Sequence, residues 1–434
     1  AAAVQPQRAH PLGRRPPPRV TGVAVTPTAS RGAAATVTAR LSARDLPGGP
    51  DGSLRVPALL FVPRGPLLLV HDHRPRPEAA TWRERGGALP DDLPNPNSLW
   101  LRRSDDAGAT WFPPRRLAPP AAVGVRGVSD PSLLHDPRTG RLHLFAAAAT
   151  DVGLFGARPP SRPARGGRPP EPGTLRLLHA VSPDGGATWD WEDLTALLAP
   201  TAERPDGVVG FPVSGHGLAL ARGARAGRLV QPLVTALAPR PDATRPVRAV
   251  ALLSDDGGAT WFLGRDVPGP QAAGAASLAG GAATTGVDEW AVAELPARPG
   301  ADGALLLSAR DGGYGGRRLS ARSHDGAMTW TVPQPEETLP DPGCNGSLAV
   351  LPGGAVACSH AGDPGGRRAG RLSVRPAGAA AWRPLAALTG AAEPFGYSDA
   401  AVVPRDRGPG ARVVVVAERP QGRETTLVCL AVET

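Results

Sequence analysis

The pattern Ser-x-Asp-x-Gly-x-Thr-Trp occurs four times in this chain: at Ser104/Asp106/Gly108/Thr110/Trp111, Ser182/Asp184/Gly186/Thr188/Trp189, Ser254/Asp256/Gly258/Thr260/Trp261 and Ser323/Asp325/Thr329/Trp330, the last with Ala327 in the glycine place. Successive copies start 69 to 78 residues apart, too long a period for a helical solenoid and the right length for a four-stranded sheet with its loops. The pattern has a mechanical reason. An Asp in a hairpin turn accepts backbone N–H groups from residues just ahead of it, a Gly supplies positive φ, and a Trp ring packs between neighbouring strands. Such a box is a turn staple, so it reports fold and carries no chemistry. Each copy follows a run such as "LWLRRS" or "LRLLHAVS", with apolar or branched residues at alternating places as a half-buried strand requires. The repeat predicts an all-β chain of four-stranded antiparallel blades, a β-propeller.

One propeller would use most of the 434 residues, and 55 Gly and 52 Pro suit a protein made of many turns. All 48 basic residues are Arg and the net charge is +9, which raises the question of a nucleic-acid partner. The distribution argues against one: seven Arg and no acid precede Asp45, and four Arg face Glu171 alone between Phe155 and Gly173. Both stretches are Pro-rich, and the remainder is close to neutral. Residues 1–44 are therefore expected to be a disordered Pro/Arg-rich tail ahead of a globular domain at 45–434. No apolar run approaches the roughly 20 residues needed to cross a bilayer as a helix, so no transmembrane segment is expected. The opening "AAAVQP" resembles a mature start after small-residue signal cleavage. Secretion is the expectation from it, with a cytoplasmic location as the alternative. Cys344, Cys358 and Cys429 allow at most one internal disulfide, and Cys344 with Cys358 across a "PGG" turn or three buried thiols are the two possibilities. Their spacing matches no metal site.

Chemistry has to come from residues between the boxes. "SLRVPALLFVP" followed by "LLLVHDHRP" puts Arg55 at a strand start and Arg74 at the end of the next strand; "DDLPNPNSLWLRRSDDAGATW" leads into the first box; "GVDEWAVAEL", "LLLSARDGG" and "FGYSDAAVV" follow in that order. This succession, across residues 45–434, resembles the exo-sialidase (neuraminidase) family of the bacterial Asp-box, or BNR-repeat, type. The resemblance implies a six-bladed propeller in one domain. It also implies hydrolysis of terminal α-linked sialic acids of glycoconjugates, with no metal or organic cofactor; a monomer is expected.

Residue by residue, the resemblance gives Asp92 the general-acid place, with Asp91 its near twin and the Pro94/Pro96/Asn97 spacing setting the register. Glu289 takes the place of a buried base, with Asp288 and Glu294 the nearest competitors, and Tyr397, one of two tyrosines beside Tyr314, takes the place of the nucleophile. Three arginines would grip the substrate carboxylate: Arg55, Arg310 and one from "GGRRAGRLSVRP", taken as Arg368 with Arg367 and Arg371 as alternatives. Arg74 would support the carboxylate or C4 side of the sugar, and Asp130 in "VSDPSLL" would line the pocket nearby.

The chemistry suits these residue types. Sialic acid carries a carboxylate on its anomeric carbon, a fixed anion that planar guanidinium groups grip bidentately. An anionic nucleophile would approach against like charge, which a neutral phenol avoids, and sialidases are a known tyrosine-using exception to the two-carboxylate scheme. A phenol with an ordinary pKa of about 10 needs a base in contact with it. Singly, Asp92 also reads as a turn-former, Glu289 as a partner for a buried Arg and Tyr397 as a packing ring. His216 in "SGHGLAL" reads as an ordinary loop residue. The chain departs from the family pattern in a long stretch between Arg74 and Asp92, in an insertion after Phe155, and in "VRPAGAAAW", which keeps Trp382 without the box acids. Two other readings stay open: a non-catalytic propeller that binds sialylated glycans, and a trans-sialidase or a hydrolase of a related nonulosonic acid.

Overall fold

The computed structural model describes residues 33–76, 91–161, 171–237, 244–269, 283–296, 303–313, 315–405 and 410–434. The earlier part of the expected tail, most of the stretch between Arg74 and Asp92, much of the insertion after Phe155, and Tyr314 lie outside them. The described residues are all-β, with three short 3-10 turns and no α-helix.

The strands form antiparallel meanders gathered into five sheets. One sheet runs in sequence order through Ser53–Phe61, Leu67–Arg74, Ser98–Ser104 and Arg115–Leu117. The next holds Gly127–His135, Leu142–Ala149, Arg176–Ser182 and Asp190–Asp193, with Gly215–His216 added in parallel to its first strand. A nine-stranded sheet joins two meanders, one around Leu229–Ala236 and Thr244–Ser254, the other from Ala283–Glu294 to Gln334–Pro340, through a parallel pairing of Thr244–Val247 with Ala283–Gly286. The last two sheets are built on Ser347–Val350 to Arg383–Ala387 and on Ser398–Pro404 to Glu424–Glu433.

Second strands of these meanders are covered on both faces, which explains their composition. Leu67–Arg74, Leu142–Ala149, Leu229–Ala236 and Val356–Ala361 are buried along their whole length. Leu142–Ala149 is accordingly a near-continuous apolar run, without the alternation of a strand that has one wet face, whereas Leu67–Arg74 is apolar through Val70 and then buries His71, Asp72, His73 and Arg74. Apolar side chains from adjacent sheets interlock, as where Leu59, Leu67 and Leu69 meet Val414, Val416 and Leu427.

All four boxes close as staples. In the second, the Ser182 hydroxyl donates to Asp184 Oδ1 at 2.8 Å and accepts from the Gly186 N–H at 2.8 Å, while the Thr188 N–H and hydroxyl donate to the two Asp184 oxygens at 2.8 and 2.7 Å. Donation by the Thr188 hydroxyl and N–H and by Ser182 pushes the Asp184 carboxyl down to about 2. Ala327 in the fourth box takes φ +69°, the left-handed conformation a glycine holds elsewhere, and the same four bonds still form.

Order begins earlier in the chain than the composition suggested. Thr36–Leu41 pairs antiparallel with Glu424–Glu433, and Ala33–Ala34 pairs in parallel with Arg383–Ala387. The expected boundary near residue 45 is therefore corrected to residue 33 at the latest. "TVTARL" is an outer strand with mostly exposed or half-buried residues, so it carries little of the apolar signal that marks a buried strand. The three cysteines are buried free thiols, with Cys358 opposite Leu348 in the register and Cys344 outside the strand.

Candidate active site

One structural device recurs where functional side chains are needed. Three first strands carry a bulge at corresponding places: between Arg55 and Ala58, between Ser129 and Ser132, and between Val287 and Trp290. A bulge inserts one residue against its partner strand and re-aims the side chains beside it. Val56 and Asp130 adopt φ +48° and +56° at two of them, a left-handed conformation costly for non-glycine residues and typically retained at functional positions. The bulges turn Arg55, Asp130 and the pair Asp288/Glu289 toward one region.

The centre of that region is Tyr397, just ahead of Ser398–Pro404. Its hydroxyl donates to Glu289 Oε2 at 2.5 Å and accepts from Arg310 Nη1 at 2.7 Å. Arg310, near the end of Leu305–Asp311, also reaches Asp288 at 2.6 Å and Glu289 at 2.8 Å. Guanidinium groups of Arg55 and Arg367 lie over the Tyr397 ring, 5.8 and 5.1 Å from its centroid. Burial raises the Glu289 carboxyl, an effect Arg310 opposes and Asp288 and Asp130 reinforce. Burial likewise pushes the Tyr397 phenol well above its ordinary value. The resting pair is thus a neutral phenol against a base whose proton affinity exceeds that of an ordinary carboxylate.

A second cluster adjoins it around Arg74, whose guanidinium is almost fully buried. Arg74 bonds Asp72 at 3.0 Å, Asp92 at 2.5 Å, and Ser129 and Asp130 at 3.2 Å each. Burial raises both Asp130 and Asp72 above the carboxylate range despite this guanidinium. Asp92 keeps a side chain that is 41% exposed. Its twin Asp91 also borders the site, 3.8 Å from Arg55 Nη1, at φ +61°.

The structure thus brings Arg55, Arg74, Asp92, Asp130, Glu289, Arg310 and Tyr397 together and leaves Arg368 out. Arg368 is half-exposed and ion-paired to Asp363 in its own loop. The adjacent Arg367 turns to the Tyr397 ring and donates to the Gly343 carbonyl at 3.3 Å. Arg367 sits in a bend and Arg368 at the β-bridge to Pro394 that follows it, so a register error of one residue exchanges a side chain at the Tyr397 ring for one paired within its own loop. Arg371 lies within Gly370–Arg375, opposite His360 and Ala387.

Two further residues belong to this site that the motifs did not single out. Glu418 is buried and accepts from Arg55 Nε at 3.1 Å, from the Val56 N–H at 2.9 Å and from the Tyr397 N–H at 3.3 Å. Its signal was a lone acid ending the run "RVVVVAERP", where only a buried partner justifies a charge. His216, read as a loop residue, bonds through Nδ1 to the buried Asp399 at 2.9 Å. Among the described residues no group of three or more His, Cys, Asp or Glu side chains is arranged to hold a metal ion.

Known proteins resemble this chain in sequence and in fold. The BNR repeat-like domain family matches residues 97–407. Over 295 residues, 68% of this chain, the sequence is 34% identical to a sialidase of Micromonospora viridifaciens, and the match takes in 38% of that protein. The chain spans less than half the length of that sialidase and of a Bacteroides fragilis sialidase that it also matches. Among solved structures, Hadza microbial sialidase Hz136 superposes with a TM-score of 0.61 at 23% identity, covering 87% of this chain and 65% of that one. A leech intramolecular trans-sialidase superposes with a TM-score of 0.62 at 17% identity, covering 94% of this chain and 70% of that one. These superpositions speak for the fold. The chain belongs to the bacterial BNR-repeat, or Asp-box, sialidase family.

Proposed function

We propose that this chain is an exo-α-sialidase domain that releases terminal sialic acids from glycoconjugates with retention, through a glycosyl-tyrosine intermediate on Tyr397. The observation that carries the proposal is the Tyr397 hydroxyl held between Glu289 at 2.5 Å and Arg310 at 2.7 Å, with two more guanidinium groups over its ring. In this reading Arg55, Arg310 and Arg367 bind the sugar carboxylate, and Arg74 and Asp130 line the adjoining side of the pocket.

In the first step the Tyr397 oxygen attacks the anomeric carbon and passes its proton to Glu289, while Asp92 protonates the departing glycosidic oxygen. The bond from the anomeric carbon to the aglycone breaks as the bond to Tyr397 forms. In the second step Asp92 takes a proton from water, whose oxygen replaces Tyr397 on that carbon, and Glu289 returns the proton to the phenolate. Two displacements at one carbon give retention, and no oxidant, reductant or cofactor enters the balance.

The same reading makes the fold a six-bladed propeller, with blades beginning at Ser53, Gly127, Val209, Ala283, Ser347 and Ser398. Contact between Ser398–Pro404 and Ser53–Phe61 supports closure into a ring, alongside contacts between most first strands of consecutive meanders and between Leu229–Ala236 and Ala283–Glu294.

Release of sialic acid from a fluorogenic sialoside tests the function. The proposal expects turnover by the wild type and its loss in Tyr397→Phe. Inactivity of the wild type across the range from pH 4 to 8, with retained glycan binding, would instead identify a binding module. Transfer to an added acceptor sugar in place of water would identify a transferase.

A further inference from the structure

Asp399 is buried and accepts bonds from three other segments and from the next residue of its own strand. Its Oδ2 accepts the Leu59 N–H at 2.7 Å; its Oδ1 accepts from the Ser347 hydroxyl at 2.6 Å, His216 Nδ1 at 2.9 Å and the Ala400 N–H at 2.9 Å. Its own segment and two of the others lead to site residues. Leu59 shares a strand with Arg55, and Asp399 follows Tyr397 by two positions. His216 lies on the two-residue strand that pairs in parallel with Ser132 and Leu133, just past the Asp130 bulge. The small cavity beside His216 is also lined by Ser214, Ser347 and Trp290, the neighbour of Glu289. A change in this bond therefore acts on a residue two positions from the proposed nucleophile, beside a cavity lined by the neighbour of the proposed base.

We propose that His216, acting through Asp399, is a positioning residue for the Tyr397–Glu289 pair, and that loss of its charge sets an alkaline limit on turnover. The kinetic part of this inference rests on the sialidase reading; the structural part does not. Of the four donors to Asp399, only His216 changes its protonation state near neutral pH. The charged group that faces it is Asp399. The remaining elements around the cavity present Ser214, Trp290, Ser347 and the Leu348 backbone, which do not titrate in this range.

Burial alone would favour the neutral imidazole. Attraction to Asp399 and the bond to it outweigh burial, so the proton is held more tightly than by an ordinary histidine. The folded-state value is raised, so the ion pair contributes its full stabilisation below the ordinary value of about 6.5 and loses it as pH rises through the folded-state value. A neutral ring retains the Nδ1–H bond but not the charge. The buried Asp399 carboxylate is then less compensated, and the segment that carries Tyr397 is held less firmly.

The test combines His216→Gln and His216→Asn with three measurements on the intact protein: the imidazole titration of His216 by NMR, the resonance of labelled Tyr397 Cζ against pH, and the pH profiles of kcat and KM. The expected result is a His216 midpoint above 6.5, a Tyr397 shift with the same midpoint, and a several-fold fall in kcat with little change in KM over that range. Both variants should lack that component of the Tyr397 shift and that limb, with kcat reduced several-fold on the acid side. A His216 midpoint at or below 6.5, or a Tyr397 shift that persists unchanged in both variants, overturns the inference. A wild type without sialidase activity overturns the functional reading instead, and the two NMR titrations then decide the positioning role alone.

Discussion

The Tyr397 hydroxyl and the Glu289 carboxylate, 108 residues apart in sequence, share a hydrogen bond of 2.5 Å. Neither residue is reactive alone at neutral pH: the phenol is pushed further up by burial, and an isolated carboxylate is a weak base. In the proposed mechanism, contact supplies what each lacks. Removing the base should therefore cost about 10²–10⁴-fold in kcat. Glu289→Gln should show this loss in a fluorogenic assay with KM nearly unchanged, while Tyr397→Phe should lose turnover and still bind an unsaturated sialic acid analogue.

The adjacent arginines Arg367 and Arg368 provide an internal control. Arg367 faces the Tyr397 ring, and Arg368 pairs with Asp363 on the surface. Calorimetric titration with an unsaturated sialic acid analogue should show Arg367→Ala weakening binding at least tenfold, or by about 1.4 kcal/mol, and Arg368→Ala leaving it unchanged. The reverse order would return the third guanidinium to Arg368.

Much of this site was legible because its residues lie in short ordered motifs, and those motifs coincide with strand ends and bulges. Arg55, Asp130 and Glu289 each stand at a bulge on a first strand, so a local pattern already fixed where the side chain is aimed. Arg367 was not separable from Arg368 in a Gly-rich loop, where no apolar alternation anchors the register. Glu418 and the His216–Asp399 pair escaped for a different reason. Their partners are 363 and 183 residues away, and a buried polar pair leaves no periodic trace in either segment. The opening strand Thr36–Leu41 was hidden by its exposure, since an outer strand buries too little to need apolar residues.

Glu418 should matter for folding as much as for activity. Burial alone would raise its carboxyl, but Arg55 and the Val56 N–H more than offset this and lower it. Its contribution is thus present above the unfolded value near 4.5 and is lost as pH falls through the lower folded-state value. Glu418→Ala leaves the Arg55 charge without this partner and should destabilise by about 3 kcal/mol. Denaturant melts at pH 7 and at pH 3 should show a larger gap between wild type and variant at pH 7. An equal gap at both would remove the ionic account.

The boxes should behave differently from the site. Asp325→Ala removes three hydrogen bonds from a partly exposed turn, a loss of about 1 kcal/mol after solvent screening. A small shift in the denaturant midpoint with unchanged KM is the expected outcome; a large rise in KM would give the boxes a part in binding.

The most direct test of the central claim is to trap the covalent intermediate with a 3-fluorosialosyl fluoride and map the adduct by peptide mass spectrometry. The fluorine at C3 slows the second displacement, so the glycosylated enzyme accumulates. The account predicts one added fluorosialosyl group, on the peptide carrying Tyr397, and none in Tyr397→Phe. Stoichiometric labelling of an Asp or Glu, or fluoride turnover by the wild type with no adduct at Tyr397, would contradict it.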